Sequence, residues 1–197
     1  MTGISRSRIG RASWIAVAAA FACGGRAPTA GANGTTPAMV RLTPAAEAIV
    51  LETAGAPPAD TTVSFTTGVQ HTIVLRHGPP ENIDFAELTF PPTAFADSGR
   101  QVTVDVKPRP GIYGVDIHSS LAFRGSALLT FKYGRYFLAP SRSRAVYGDD
   151  VQFERALAVA QVLPDGRLAL LPSTRPASDN LEAAITSGGT YLVAAPQ

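Results

Sequence analysis

Few residues in this chain have the types and spacing that chemistry requires. Asp116, His118 and Ser120 stand at alternate positions, which on a β-strand puts all three on one face. A carboxylate, an imidazole and a hydroxyl are the parts of a hydrolytic relay. The plainer reading is the solvent side of a strand whose core side carries Val115, Ile117 and, beyond it, Leu121. Neighbouring strand residues diverge, so His118 and Ser119 do not face each other. His71 and His77 would share a face if one strand held both, but at ~3.3 Å per residue they would lie roughly 20 Å apart, too far to share a metal. His77 is expected in the turn before Pro79. Asp149-Asp150 and Asp179-Asn180 offer too few oxygens for a calcium site and read as solvated turns. The Gly-x-Ser-x-Gly, phosphate-loop, His-Glu-x-x-His and Rossmann patterns do not occur. No catalytic residue, metal ligand or cofactor is assigned.

The densest chemical stretch is Phe131–Leu138 (FKYGRYFL) with Arg142, Arg144 and Tyr147 behind it. It holds three of the five tyrosines together with four cations. Tyrosine and arginine are favoured at interfaces, and aromatic rings beside guanidinium groups also suit sugars. Tyr133, Arg135, Tyr136, Arg142, Arg144 and Tyr147 are therefore the candidate interaction surface. A core strand with a covering loop is the alternative.

The elements that must position these residues follow a leader. Arg6, Arg8 and Arg11 precede the apolar stretch Ala12–Ala22, relieved only by Ser13. That stretch is far shorter than the ~20 residues that span a bilayer and fits a secretory signal. Ala20-Phe21-Ala22-Cys23 resembles the lipobox of bacterial lipoproteins, and Cys23 is the only cysteine. The resemblance implies cleavage after residue 22, lipidation at Cys23 and a bacterial envelope location. Gly24-Gly25 after the cysteine, by enterobacterial sorting rules, points to the outer membrane. The alternative is an ordinary signal peptide and a secreted chain. Residues 23–38 then form a flexible linker rich in Gly, Ala, Thr and Pro, with an r.m.s. span of roughly 20 Å. Loss of the three leader arginines leaves 14 basic residues against 15 acidic ones, a formal charge of −1. That balance lacks the basic patch that nucleic-acid binding needs, so nucleic acid is not an expected partner.

The remaining residues, 39–197, are expected to form one domain. Of all 197 residues 45% are hydrophobic and only 16% charged, which excludes extensive disorder. Period two dominates. Val102, Val104 and Val106 alternate with polar residues, Thr61–Thr66 and His71–Arg76 are β-branched runs, and Leu129, Phe131 and Tyr133 share a face. In Ile83–Phe90 a phase change at Ala86-Glu87 predicts a bulge. Pro164-Asp165-Gly166-Arg167 is a hairpin signal between Ala156–Leu163 and Leu168–Leu171. About nine or ten short strands at such spacing predict an all-β antiparallel sandwich.

From Gly68 to Gln197 the order of features resembles the β-sandwich domain shared by netrin receptors, ankyrins and zonula-occludens proteins. Leu88–Phe95 stands at that family's corner and Val102–Val106 at the valine-alternating strand. Ile117–Phe123 stands for its aromatic stretch, Ala127–Phe131 for the next strand and Ser187–Val193 for the closing one. Thr93 and Ser126 replace a glycine and a proline of the pattern. Residues 185–189 lack the His-Phe-Ser at which some members cleave themselves, so self-cleavage is not implied. What the resemblance implies is protein–protein attachment: a membrane-anchored, non-catalytic module for another envelope protein. The alternative is a lipoprotein that binds a small molecule or glycan.

Overall fold

The structure, a computed structural model, describes residues 39–197. The expectations for the leader, the linker and Cys23 lie outside the described residues. These residues form one compact unit. Its strands are β1 (Arg41–Thr43), β2 (Ala48–Val50), β3 (Glu52–Thr53), β4 (Thr61–Thr66) and β5 (His71–Arg76). Then come β6 (Asp84–Phe90), β7 (Gln101–Pro108), β8 (Gly114–Ser119), β9 (Ala127–Lys132) and β10 (Phe137–Leu138). After two short helices follow β11 (Ala158–Val162), β12 (Leu168–Leu170), β13 (Ser173–Thr174), β14 (Asn180–Ile185) and β15 (Gly189–Pro196).

These strands form the antiparallel sandwich that the periodicity predicts. The larger sheet runs β1-β12-β11-β15-β8-β7-β4, with β2 also on β15, and the smaller runs β13-β14-β9-β6-β5. β10 and β3 make a separate two-stranded ladder. The alternating residues meet between the layers as expected. Val102, Val104 and Val106 of β7 and Leu129 and Phe131 of β9 are all essentially inaccessible to solvent. Aromatic rings join the two sheets. Phe85 of β6 stacks on Tyr113 with centroids 5.2 Å apart, and Phe65 of β4 lies 5.4 Å from Phe90 of β6.

The bulge is present, one residue earlier than the phase change suggests. Leu75 pairs with Ala86 and Arg76 with Asp84, so Phe85 is the extra residue of β6. The insertion lets Phe85 and Ala86, neighbours in sequence, both be buried. The hairpin is where Pro164–Arg167 places it: Leu163 N–H donates to Arg167 O, and Gly166 takes φ 81° at the turn. Such a φ is strained for residues with a Cβ.

The helices are the departure. α1 (Ser143–Tyr147) and α2 (Asp150–Ala156) cover a stretch that carries no helical periodicity. α2 buries a single residue, Phe153, so no apolar stripe exists to be read. Ala156 ends α2, and the predicted strand from Ala156 starts instead at Ala158. Asp149 is exposed in the bend between the helices, as the turn reading places it, and is also the N-cap of α2, its Oδ1 accepting from Gln152 N–H at 2.8 Å.

Phe85, 1% exposed, lies between Tyr113, Phe131 and His77. Phe85→Ala is expected to cost ~3–5 kcal/mol of unfolding free energy, read from urea melts by circular dichroism.

Candidate functional site

The tyrosine- and arginine-rich segment leaves β9 and crosses the sandwich through β10 into α1. Alternation on β9 carries Tyr133 inward after Leu129 and Phe131, and it is 1% exposed. Its hydroxyl donates to Glu154 Oε1 of α2 at 3.1 Å, while its ring faces Tyr113 and Phe137. Burial, with the nearby Glu154 carboxylate, raises its pKa against the opposing Arg175. Tyr133 therefore does not contribute to a surface: the strand period that predicts it beside Phe131 also takes it into the core.

Tyr147 and Arg142 are likewise engaged in closing the fold. The half-buried Tyr147 stacks obliquely on Phe153, and its hydroxyl donates to Pro196 O at the end of β15. Burial raises its pKa. Arg142 Nη2 donates to Ala48 O of β2 at 2.7 Å. Arg144 is exposed and pairs with Asp150 at 3.4 Å.

Arg135 and Tyr136 remain together at the surface, on a partner that sequence alone does not identify. Arg135 is exposed and Tyr136 half-buried, and both bond Glu81 in the turn between β5 and β6. Arg135 Nε and Nη2 each lie 3.3 Å from its carboxylate, and the Tyr136 hydroxyl donates at 2.6 Å. Hydrogen bonds from Arg135 and then Tyr136 hold the Glu81 carboxyl below its usual range, and the same contact raises both partners. The Tyr136 ring packs edge-on to His77 at 4.7 Å. A carboxylate held in a two-sided clamp fixes the cation and the phenol relative to each other.

His77 follows β5, as the turn reading places it, but it is 2% exposed. Its Nδ1 donates to Ala56 O at 2.8 Å. Gly55 lets that ring approach, since a Cβ there would come within 2.6 Å of His77 and Tyr136 atoms. Beside this cluster Lys132 Nζ bonds Asp84 at 3.0 Å and Glu87 at 2.5 Å, and Arg76 takes the other oxygen of Asp84. A cavity of about 220 Å³ lies among His77, Asp84, Lys132, Arg135, Asp179 and Asn180. Asp179 is set against Gly134, where a Cβ would meet its carboxylate at 2.6 Å. His71, by contrast, stacks on Phe65 at 4.3 Å, remote in role from any ligand set. Among the described residues no group of three or more His, Cys, Asp or Glu has metal-binding geometry.

The relay of Asp116, His118 and Ser120 does not assemble as a chain of hydrogen bonds. Asp116 is held by Arg109 at 3.1 Å and by the Thr190 hydroxyl at 2.6 Å. Ser120 lies beyond β8, and its Oγ accepts from Thr103 N–H at 2.9 Å. His118 pairs across the sheet with Asp105 and borders a hollow of about 310 Å³ with Lys107, Asp116 and Thr190.

Neither family models nor curated proteins nor solved structures match the chain.

The Asp84 network has a pH signature. Burial disfavours the Asp84 carboxylate, but the bonds from Lys132 and Arg76 outweigh it and lower its pKa. A depressed carboxyl contributes stability above its unfolded value and loses it as pH falls through the folded one. Unfolding free energy is therefore expected to fall as the pH drops below about 4. Lys132→Met should make that decline shallower and cost ~1 kcal/mol at neutral pH, as measured by urea titration across this range.

Proposed function

We propose that this chain is a bacterial envelope lipoprotein, anchored through lipid on Cys23, whose sandwich is a non-catalytic module for attaching another envelope protein. The leader, the short apolar stretch and the placement of the one cysteine support the anchor. The likeness to the netrin-receptor, ankyrin and zonula-occludens sandwich supports the attachment role.

One observation carries the binding face: Glu81 clamps Arg135 and Tyr136 together at the surface of a rigid sandwich. Arginine and tyrosine are the residue types that anchor protein interfaces, and side chains already ordered lose less entropy on binding. Arg144 is exposed and ordered by its pairing with Asp150. Buried Tyr133, half-buried Tyr147 and exposed Arg142 hold the segment to α2, β15 and β2.

A second reading, a lipoprotein that binds a small molecule or glycan, rests on the hollow beside His118. Asp105, Lys107, Asp116 and Thr190 bring hydrogen-bonding groups together there on the outer side of the larger sheet. Such groups suit the hydroxyls of a sugar.

The test is crosslinking of the full-length protein in its own host. The adaptor reading expects one envelope protein in near-stoichiometric yield, lost in Arg135→Ala and Tyr136→Ala and retained in His118→Ala. Metabolic labelling with palmitate should mark the parent and leave Cys23→Ser unlabelled. Capture of no protein, together with glycan binding abolished by His118→Ala, would replace the adaptor with the second reading.

A further inference from the structure

Strand β4 is the outermost strand of the larger sheet and pairs only with β7. Its six residues, Thr-Thr-Val-Ser-Phe-Thr, include no charge and no proline, and their register with β7 runs without a bulge. Open edges are ordinarily guarded by such features. The other sheet edges have guards. β5 is interrupted by the bulge opposite Leu75-Arg76 and ends on a charge, while β1 has three residues and β13 two.

The hydrogen-bonding phase of β4 follows from its end. Thr67 N–H donates to Arg100 O, and Gly99 N–H donates to Thr67 O, so Thr67 turns its backbone groups toward the β7 side. Alternation gives Thr61, Val63 and Phe65 the same direction. Thr62, Ser64 and Thr66 then point their N–H and C=O outward. Side-chain contacts agree: Thr62 bonds Asp105 at 2.6 Å and Ser64 meets Thr103 at 2.8 Å. Such closeness marks the pairs whose backbones do not bond each other. Among the described residues no backbone partner is given to the outward groups of these three residues.

The outward row is self-complementary. We propose that β4 is a homodimerisation edge, pairing antiparallel with β4 of a second copy about a two-fold axis at Ser64. In that register Ser64 faces its own counterpart and Thr62 faces Thr66 of the second copy, giving about six backbone hydrogen bonds. Val63 falls opposite Phe65 of the second copy on the inner side, where both residues border the core. The row is uncharged, so the two-fold brings no like charges together within it. The two-fold sets hydroxyl residues against hydroxyl residues, Ser64 on Ser64 and Thr62 on Thr66, so the exposed face of the strand is complementary to itself. One strand pair is a small interface, below ~1,200 Å², so the dimer forms in a concentration-dependent way. This inference stands apart from the adaptor reading, and Tyr136→Ala leaves the dimer intact.

The test is sedimentation of the full chain carrying Cys23→Ser, in detergent, from low concentration up to on the order of 100 µM. The parent is expected to pass from one-chain to two-chain mass. Ser64→Pro removes an outward N–H, a change that edge strands tolerate, and should sediment as one chain with an unchanged circular dichroism spectrum. Ser64→Lys sets two like charges against each other at the two-fold axis, on the exposed face, and should do the same. Hydrogen exchange supplies a readout independent of either variant: the Thr62, Ser64 and Thr66 amides should slow by about tenfold or more at the higher concentration. One-chain mass throughout, with those amides exchanging equally at both concentrations, would overturn the proposal. So would a two-chain species that persists in both variants.

Discussion

The last eight-residue strand is the constraint on which the larger sheet depends. β15 pairs with β11 along one side and with β8 and then β2 along the other. Its odd positions, Tyr191, Val193 and Ala195, sit in the core between the sheets. Its even positions, Leu192 and Ala194, belong to a second apolar cluster with Ala48, Ala160, Leu168 and Leu170. A strand apolar on both faces lacks alternation, and only its neighbours determine what each face meets. Val193 also accepts from Leu51 N–H and donates to Tyr113 O, so the residues around β3 and β8 are tied to the same strand. The sheet is incomplete until the C-terminal residues are in place. Such non-local pairing is the topology that folds slowly.

Packing between the sheets accounts for much of the aromatic content. Phe65, Phe90, Phe95 and Phe123 form one group of rings, and Tyr133, Phe137, Phe153 and Tyr147 form another. Tyr113 joins the layers through Phe85, and burial pushes its phenol up to about 12. Tyrosine in such a position adds an apolar body and a polar tip that must find an acceptor. The Tyr113 hydroxyl finds Tyr133 O, that of Tyr191 finds Ser187 O, and that of Tyr147 finds Pro196 O. Four of the five tyrosines thus use their hydroxyls to close the fold or to join a helix to it. Tyr136, with its hydroxyl on an exposed carboxylate, differs from them.

The same division separates the charges. Asp116, Arg142 and Asp149 each satisfy groups that the fold leaves open: a threonine hydroxyl, a strand carbonyl and a helix N-terminus. Arg135 and Glu81 satisfy each other at the surface. A pair of that kind contributes little to stability in water. What it supplies is orientation, and for that reason the proposed binding face rests on the clamp rather than on the density of aromatic and cationic residues.

The strands were legible because period two is a local property. β4, β5 and β7 follow from β-branched and alternating runs, and the Pro164–Arg167 hairpin follows from turn chemistry. The sandwich class followed from their number and spacing. The short edge strands and both helices were not legible, because a two-residue strand or a helix with one buried residue has no period to detect. Arg135 and Tyr136 were visible as composition and Tyr133 as an inward strand position, but the partner Glu81 was not. Tyr133 and Tyr136 are three residues apart, and one is core while the other meets Glu81, 55 residues away in sequence. The amino-acid sequence by itself determined the residue pattern and with it the class of fold. The tertiary structure decided which strand became an edge, which residue met Tyr136 and which carboxylate met which cation. Those choices depend on sheet order and register, and both arise from contacts between distant segments rather than from neighbours along the chain.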